Sequence, residues 1–148
     1  MVNFLKIDGI AGESQDSRHK GEIEVESFSW GETTGTGRVN IQDFHIVKRV
    51  DKASPLLMLA AASGQHFKSA VLTAQRPGQQ PQELLTFKFA DLMVSSYQIA
   101  AAVEQPLPAD QMSFNFGQIE ITYRPQRADG TLDAPVTVGW DVKANRKI

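Results

Sequence analysis

The chain has 148 residues and a mass of 16.3 kDa, and it is 41% hydrophobic and 22% charged, the composition of a single globular domain over residues 1–148 rather than of a disordered or collagen-like chain. Fifteen Lys plus Arg against seventeen Asp plus Glu leave a formal net charge of −2, the wrong balance for a dedicated nucleic-acid binder. The absence of Cys excludes thiolate zinc sites, iron–sulfur clusters, cysteine nucleophiles and CxxC redox chemistry, and a chain of this length buries a core without disulfides or metal. The longest apolar run, Leu56 to Ala62, falls far short of the roughly 20 residues that span a bilayer, so no membrane insertion is expected. The N-terminus, Met1 to Asp8, carries neither a basic and apolar leader nor a small-residue cleavage site. A cytoplasmic start is expected, with any export by another route.

Period-2 alternation dominates the chain. In order, strands are expected over Phe4 to Asp8, Glu22 to Glu32, Phe44 to Val50, His66 to Arg76, the segment of Leu85, Phe87 and Phe89, Leu92 to Val103, Met112 to Arg124 and Val136 to Val142. Two of these change phase midway: Ile23 and Val25 share one parity and Phe28 and Trp30 the other, while Phe114 and Phe116 give way after Gly117 to Ile119, Ile121 and Tyr123. A flat strand on one core cannot do that, so a bulge or bend must let each serve two sheets or turn a barrel corner. The expected fold is mainly β, a barrel or sandwich.

One segment departs from this rhythm. Ser54-Pro55 followed by Leu56 to Ser63 and then Gly64 sets an N-cap, a first-turn proline, strong helix formers and a terminator in order. The helix is expected to lay Leu56, Leu59, Ala60 and Ser63 on the β core. Turn chemistry at Pro77 to Pro81 and at Ala128 to Gly130 predicts hairpin connections, and Pro106 to Pro108 precedes another strand. The stretch Gly31 to Asn40 is polar and rich in Gly and Thr, hence either a mobile loop or an arm that orders against a partner.

Candidate chemistry is sparse. His19, His45 and His66 lack any metal-ligand spacing and read as surface or structural, and no GxSxG elbow is present. Glu22, Glu24 and Glu26 share a strand face, where a solvated acidic surface competes with a carboxylate pair for glycoside chemistry. Gly35-Thr36-Gly37 lacks the βαβ context of a dinucleotide site. The basic spots Arg18-His19-Lys20, Lys48-Arg49 and Lys143, Arg146 and Lys147 read as solvated charge or subunit complementarity, and Phe28, Trp30, Phe87, Phe89, Phe114, Phe116, Tyr123 and Trp140 as core. No catalytic residue, cofactor or metal is assigned, and no enzyme activity is expected.

The residues themselves point to a family. Phe4-Leu5-Lys6-Ile7-Asp8-Gly9-Ile10, Gly12-Glu13-Ser14, Asp16, His19, Ile23-Glu24-Val25 and Ser27-Phe28-Ser29-Trp30-Gly31 closely resemble the opening of the haemolysin-coregulated proteins, Hcp, of type VI secretion. Collinear matches follow at Asp51 to Pro55, Ile119 to Tyr123 with Pro125-Gln126, Gly139-Trp140-Asp141 and Asn145. The resemblance implies a β-barrel of two antiparallel sheets flanked by one short α-helix, associating with itself as a homohexameric ring. Such rings stack into the inner tube of a contractile machine, with sheath, baseplate and spike proteins as partners, and the secreted tube carries small effectors in its lumen. The polar loop Thr33, Thr34, Gly35, Thr36, Gly37, Arg38, Val39 and Asn40 resembles the extended loop through which rings of the family contact their neighbours. No fused toxin domain is expected after Asn145. Two other readings stay open: a monomeric β-barrel enzyme or carbohydrate-binding module using the Glu22, Glu24 and Glu26 face, and a phage-type tail tube subunit.

Overall fold

Eleven strands and one helix make up the regular structure of the computed structural model, which describes residues 1–78 and 82–148. In chain order they are β1 (Val2–Ile7), β2 (Ile23–Val25), β3 (Ser27–Ser29), β4 (Glu32–Thr34), β5 (Val39–Ile41), β6 (Phe44–Arg49), α1 (Ser54–Ser63), β7 (His66–Arg76), β8 (Gln82–Ala100), β9 (Ala109–Tyr123), β10 (Val136–Asp141) and β11 (Arg146–Lys147). Every pairing between strands is antiparallel. One path runs β11-β10-β9-β8-β7-β1-β2, and β6 bridges β9 to β3.

The two phase changes in the sequence are where this path closes on itself. β2 pairs with β1 through Ile23 and Val25; after Glu26 the chain crosses to pair with β6, Ser27 opposite Val47 and Ser29 opposite His45. The strand expected over Glu22 to Glu32 is therefore three strands serving different neighbours. β9 changes partners in the same way. Its first half, Ala109 to Phe114, lies against β6 and its second half, Gln118 to Tyr123, against β10, while β8 follows it along its whole length.

Two local devices bend this long ladder. Asp91 of β8 has a left-handed φ of 53°, and beside it Gly117 leaves no Cβ to collide; a Cβ there would stand 3.3 Å from that of Asp91. Farther along, the register slips between Val94 and Ser96, making Ser95 a bulge whose hydroxyl donates to Asp43 Oδ2 at 2.5 Å. The segments expected separately around Leu85 to Phe89 and over Leu92 to Val103 are thus one strand, β8.

The core is a continuous aromatic and aliphatic cluster centred on Phe44, which is fully buried. Its ring lies 5.0 Å from Phe89, 5.1 Å from Phe87, 5.5 Å from Phe114 and 5.7 Å from Phe28, in edge and stacked arrangements that favour aromatic contact. Tyr123, expected in the core, is exposed, because β9 has left the barrel interior by that point and faces outward with Val136 of β10.

The helix spans the expected residues, and Gly64 ends it in a left-handed conformation with its N–H donating to Ala60 O at 3.1 Å. Two details differ from expectation. Ala53, not Ser54, occupies the N-cap, because the Ser54 hydroxyl is turned inward to a buried carboxylate. That anchor also rotates the helix, so Ser54, Leu57 and Ala60 are buried while Leu56, Leu59 and Ser63 are exposed.

The connection at Ala128 to Gly130 is a hairpin between β9 and β10, tightened by Arg127 N–H to Thr131 O at 2.7 Å. β8 and β9 also form a hairpin, across Pro106 to Pro108. The predicted turn at Pro77 to Pro81 joins paired strands, but residues 79–81 lie outside the described residues.

Replacing Phe44 by Ala is expected to cost about 3–5 kcal/mol in urea unfolding, since five aromatic neighbours close poorly on the cavity. Gly12→Ala is expected to cost about 1–3 kcal/mol by overpacking, because its Cβ would stand 2.5 Å from the backbone oxygen of Glu22.

Candidate assembly surfaces

Between β3 and β6 the chain leaves the barrel as a hairpin. Trp30 marks the exit: its Nε1 donates to Gln42 O at 2.8 Å, and Gln42 N–H donates to Gly31 O at 3.2 Å. Beyond this clasp β4 and β5 pair only with each other, Glu32 opposite Ile41, Thr33 opposite Asn40 and Thr34 opposite Val39. Gly35 N–H donates to Arg38 O at 3.1 Å across the tip, where Gly37 takes a φ of 76° that suits glycine. The eight candidate residues Thr33 to Asn40 are therefore an ordered arm, with Arg38 at its end and only Val39 partly covered. Gly35-Thr36-Gly37 is the turn of that arm.

Apolar side chains lie open elsewhere. On α1, Leu56, Met58 and Leu59 are exposed; on β10, Val136 and Val138. β11 and Ile148 cover the Gly139–Asp141 end of β10, with Ile148 N–H donating to Gly139 O at 3.2 Å, so Val136 to Val138 form a sheet edge without a neighbour among the described residues. Between this edge and the base of the arm, Trp30, Ile119, Ile121, Val138, Trp140 and Ile148 line a groove of about 430 Å³.

The charged residues divide in a way the sequence did not disclose. Lys48 is only 1% exposed, not a solvated basic spot: its ammonium donates to Asp51 Oδ1 at 2.8 Å, Ser54 Oγ at 2.9 Å and Asp110 Oδ2 at 3.0 Å. Ser54 Oγ and Tyr97 Oη each donate to the same Asp110 oxygen at 2.6 Å. This cluster pins the start of α1 to β6, β8 and β9. Burial first, and the Asp110 hydrogen bond second, push the Tyr97 phenol up to about 12.

His19 is buried and flat against Phe4, ring centroids 4.5 Å apart, with Nδ1 3.0 Å from Glu22 Oε2 and Nε2 2.9 Å from Glu83 Oε1. It is structural, tying the loop before β2 to the start of β8. His66 faces Asp91 at 3.1 Å on the surface, and Lys143 also bonds that carboxylate. The Lys143 hydrogen bond chiefly, and His66 next, hold Asp91 below the usual carboxylate range, and Asp91 in turn raises Lys143.

The three glutamates expected on one solvated face have three destinations. Glu22 is half-buried against His19, Glu26 pairs with Arg49 at 2.6 Å, and Glu24 is exposed without an ion-pair partner among the described residues. Glu24 and Glu26 line one recess, with the Glu26 carboxylate engaged by Arg49, while Glu22 is turned away from it to His19. Among the described residues no three His, Asp or Glu side chains gather as a metal site, and no helix is long and apolar enough to cross a membrane.

Comparison with known proteins converges on one family. The family model described as type VI secretion system effector, Hcp, matches residues 4–123. Protein hcp1 of Pseudomonas aeruginosa is 36% identical over 154 aligned residues, covering 96% of this chain and 95% of that protein. A solved structure of a type six secretion system protein superposes with a TM-score of 0.93 at 29% identity, covering 99% of both chains. Hcp1 from Salmonella typhimurium superposes with a TM-score of 0.86 at 33% identity, also over 99% of both.

Lys48→Met is expected to destabilise the chain by about 3–5 kcal/mol in denaturant titrations, since it leaves the buried Asp110 carboxylate without its cation. The paired change Lys48→Met with Asp110→Leu should recover part of that loss. Because the fold favours the neutral Tyr97 phenol, its contribution is complete below pH 10 and disappears as pH rises toward about 12. Urea midpoints measured from pH 9 to 11 should therefore fall more steeply in the parent than in Tyr97→Phe.

Proposed function

The chain belongs to the Hcp family of type VI secretion, and on that premise we propose that it is a structural tube subunit rather than a catalyst. Six copies close into a ring, rings stack into the inner tube of the contractile machine, and the tube is secreted. Its mechanism is geometric. Identical rings define a channel, the lumen shields small effectors, sheath contraction supplies the work, and spike and baseplate proteins meet the ends of the stack.

The observation that carries this reading is the projecting arm of residues 33–40. An ordered hairpin whose strands pair only with each other contributes little to the barrel, yet it offers backbone and side-chain groups to another molecule. The exposed apolar residues of α1 and the unpaired edge of β10 support self-association in the same sense. A head-to-tail contact between copies closes into a ring when its rotation divides a full turn. The arm's residues Thr33, Thr34, Gly35, Thr36, Gly37, Arg38, Val39 and Asn40 are proposed to make the contacts between rings.

Light scattering of the purified protein should give about 98 kDa, six times the 16.3 kDa of one copy, with annular particles by negative stain. A mass of one copy across a wide concentration range would count against the ring. Gly35→Trp should shorten or abolish stacks while leaving the urea midpoint within about 0.5 kcal/mol of the parent, because no core contact is altered. Equal loss of stability and stacking would mean that the arm belongs to the fold instead.

A further inference from the structure

We infer that a recess at the opposite end of the barrel from the arm is the seat for the arm of a second copy, with Arg38 entering to face Glu24. The inference rests on the reading of the arm as a contact between copies, and it adds the receiving surface. The recess holds about 580 Å³, and Met1, Val2 and Leu107 give it apolar walls, while Glu13, Glu24 and Glu26 are among its carboxylates.

Position comes first. β6 begins at Phe44, beside the base of the arm, and ends at Arg49, which lines the recess. Five residue steps along a strand separate the two by roughly 17 Å. A protrusion at one end and a recess at the other are the elements of a heterologous, head-to-tail contact, which propagates from copy to copy.

Charge comes second. Four carboxylates line the recess, Glu13, Glu24, Glu26 and Asp51, against the Arg49 guanidinium and the Met1 amino group. Arg49 is engaged by Glu26 at 2.6 Å and Asp51 by the buried Lys48 at 2.8 Å. Glu13 accepts the Lys52 N–H at 2.7 Å, which leaves Glu24 as the lining carboxylate without a partner among the described residues. Arg38, at the tip of the arm, is an exposed cation that likewise has no ion pair among the described residues. A guanidinium is suited to such a carboxylate because it donates in a rigid fork.

A third observation lies in the wall itself. Asn3 lines the recess, is 6% exposed, and its Oδ1 has no hydrogen-bond partner even though its amide donates to Val25 O at 3.4 Å. Buried acceptors are seldom left unpaired. The wall of the recess thus carries an unmet acceptor beneath its surface.

The chain's lack of Cys makes the contact directly readable. The double variant Arg38→Cys with Glu24→Cys, oxidised at high protein concentration, should run on a non-reducing gel as a ladder of three or more copies, because each copy is linked at both ends. Either single variant should stop at dimers, and Asp129→Cys with Glu24→Cys, which places the first thiol on a different exposed turn, should give no ladder. Charge reversal supplies a second reading: Arg38→Glu and Glu24→Arg should each lower the pelleted, stacked fraction at least tenfold, and the two together should restore it to within about twofold. Absence of the ladder, or a double reversal no better than the singles, overturns the inference. The light-scattering mass separates this from failure of the ring reading: annular particles without a ladder overturn the seat alone, whereas a monomeric parent without a ladder overturns both.

Discussion

β8 and β9 have to belong to two sheets at once, and the barrel exists because they bend rather than end. A straight antiparallel pair of this length would carry its apolar face past the core and into water. The left-handed backbone at Asp91, the missing side chain at Gly117 and the bulge at Ser95 turn the ladder instead. The face that continues from Phe87 and Phe89 into Phe114 and Phe116 then wraps around Phe44. The crossing from β2 to β3 completes the closure on the other side, so the interior has no open seam there.

The buried polar cluster around Lys48 follows from that closure. The barrel brings β6, β8 and β9 to one place, where Lys48, Tyr97 and Asp110 meet, and the helix is fastened there through Ser54. A lysine enclosed to this degree is tolerated because four oxygens surround its ammonium, those of Asp51, Ser54 and Asp110 and the Arg49 carbonyl. Fixing the helix by Ser54 also decides which of its faces is left over. Leu56, Met58 and Leu59 are turned outward, and an apolar surface useful to an assembling subunit results from an anchor inside the fold.

The arm is built on the opposite logic. Its strands are short, its tip is Gly-Thr-Gly-Arg, and its ladder satisfies only its own backbone. The stiffness comes from the hairpin register and from the Trp30 clasp at its base. Such an element leaves its outer groups free to be met by another molecule, in keeping with membership of a family of secreted type VI proteins.

Alternation of apolar residues determined the strands, and the phase reversals at Ile23 to Trp30 and Phe114 to Tyr123 determined that the sheet must bend. Pro55 and Gly64 bounded the helix, and the collinear residues from Phe4 to Gly31 carried the family. These are local signals, fixed by backbone geometry and by the two-residue period of a strand. The rest depended on residues distant in the chain. Lys48 reads as a surface charge until Asp110, 62 residues later, is folded against it, and Glu22 reads as solvated until His19 is trapped between it and Glu83. The helix face followed from the Ser54 to Asp110 bond rather than from helical spacing, and β4 with β5 was hidden because a polar hairpin without a buried face has no hydrophobic period to reveal it. Burial of charge is decided by partners, and only the tertiary structure brings the partners together.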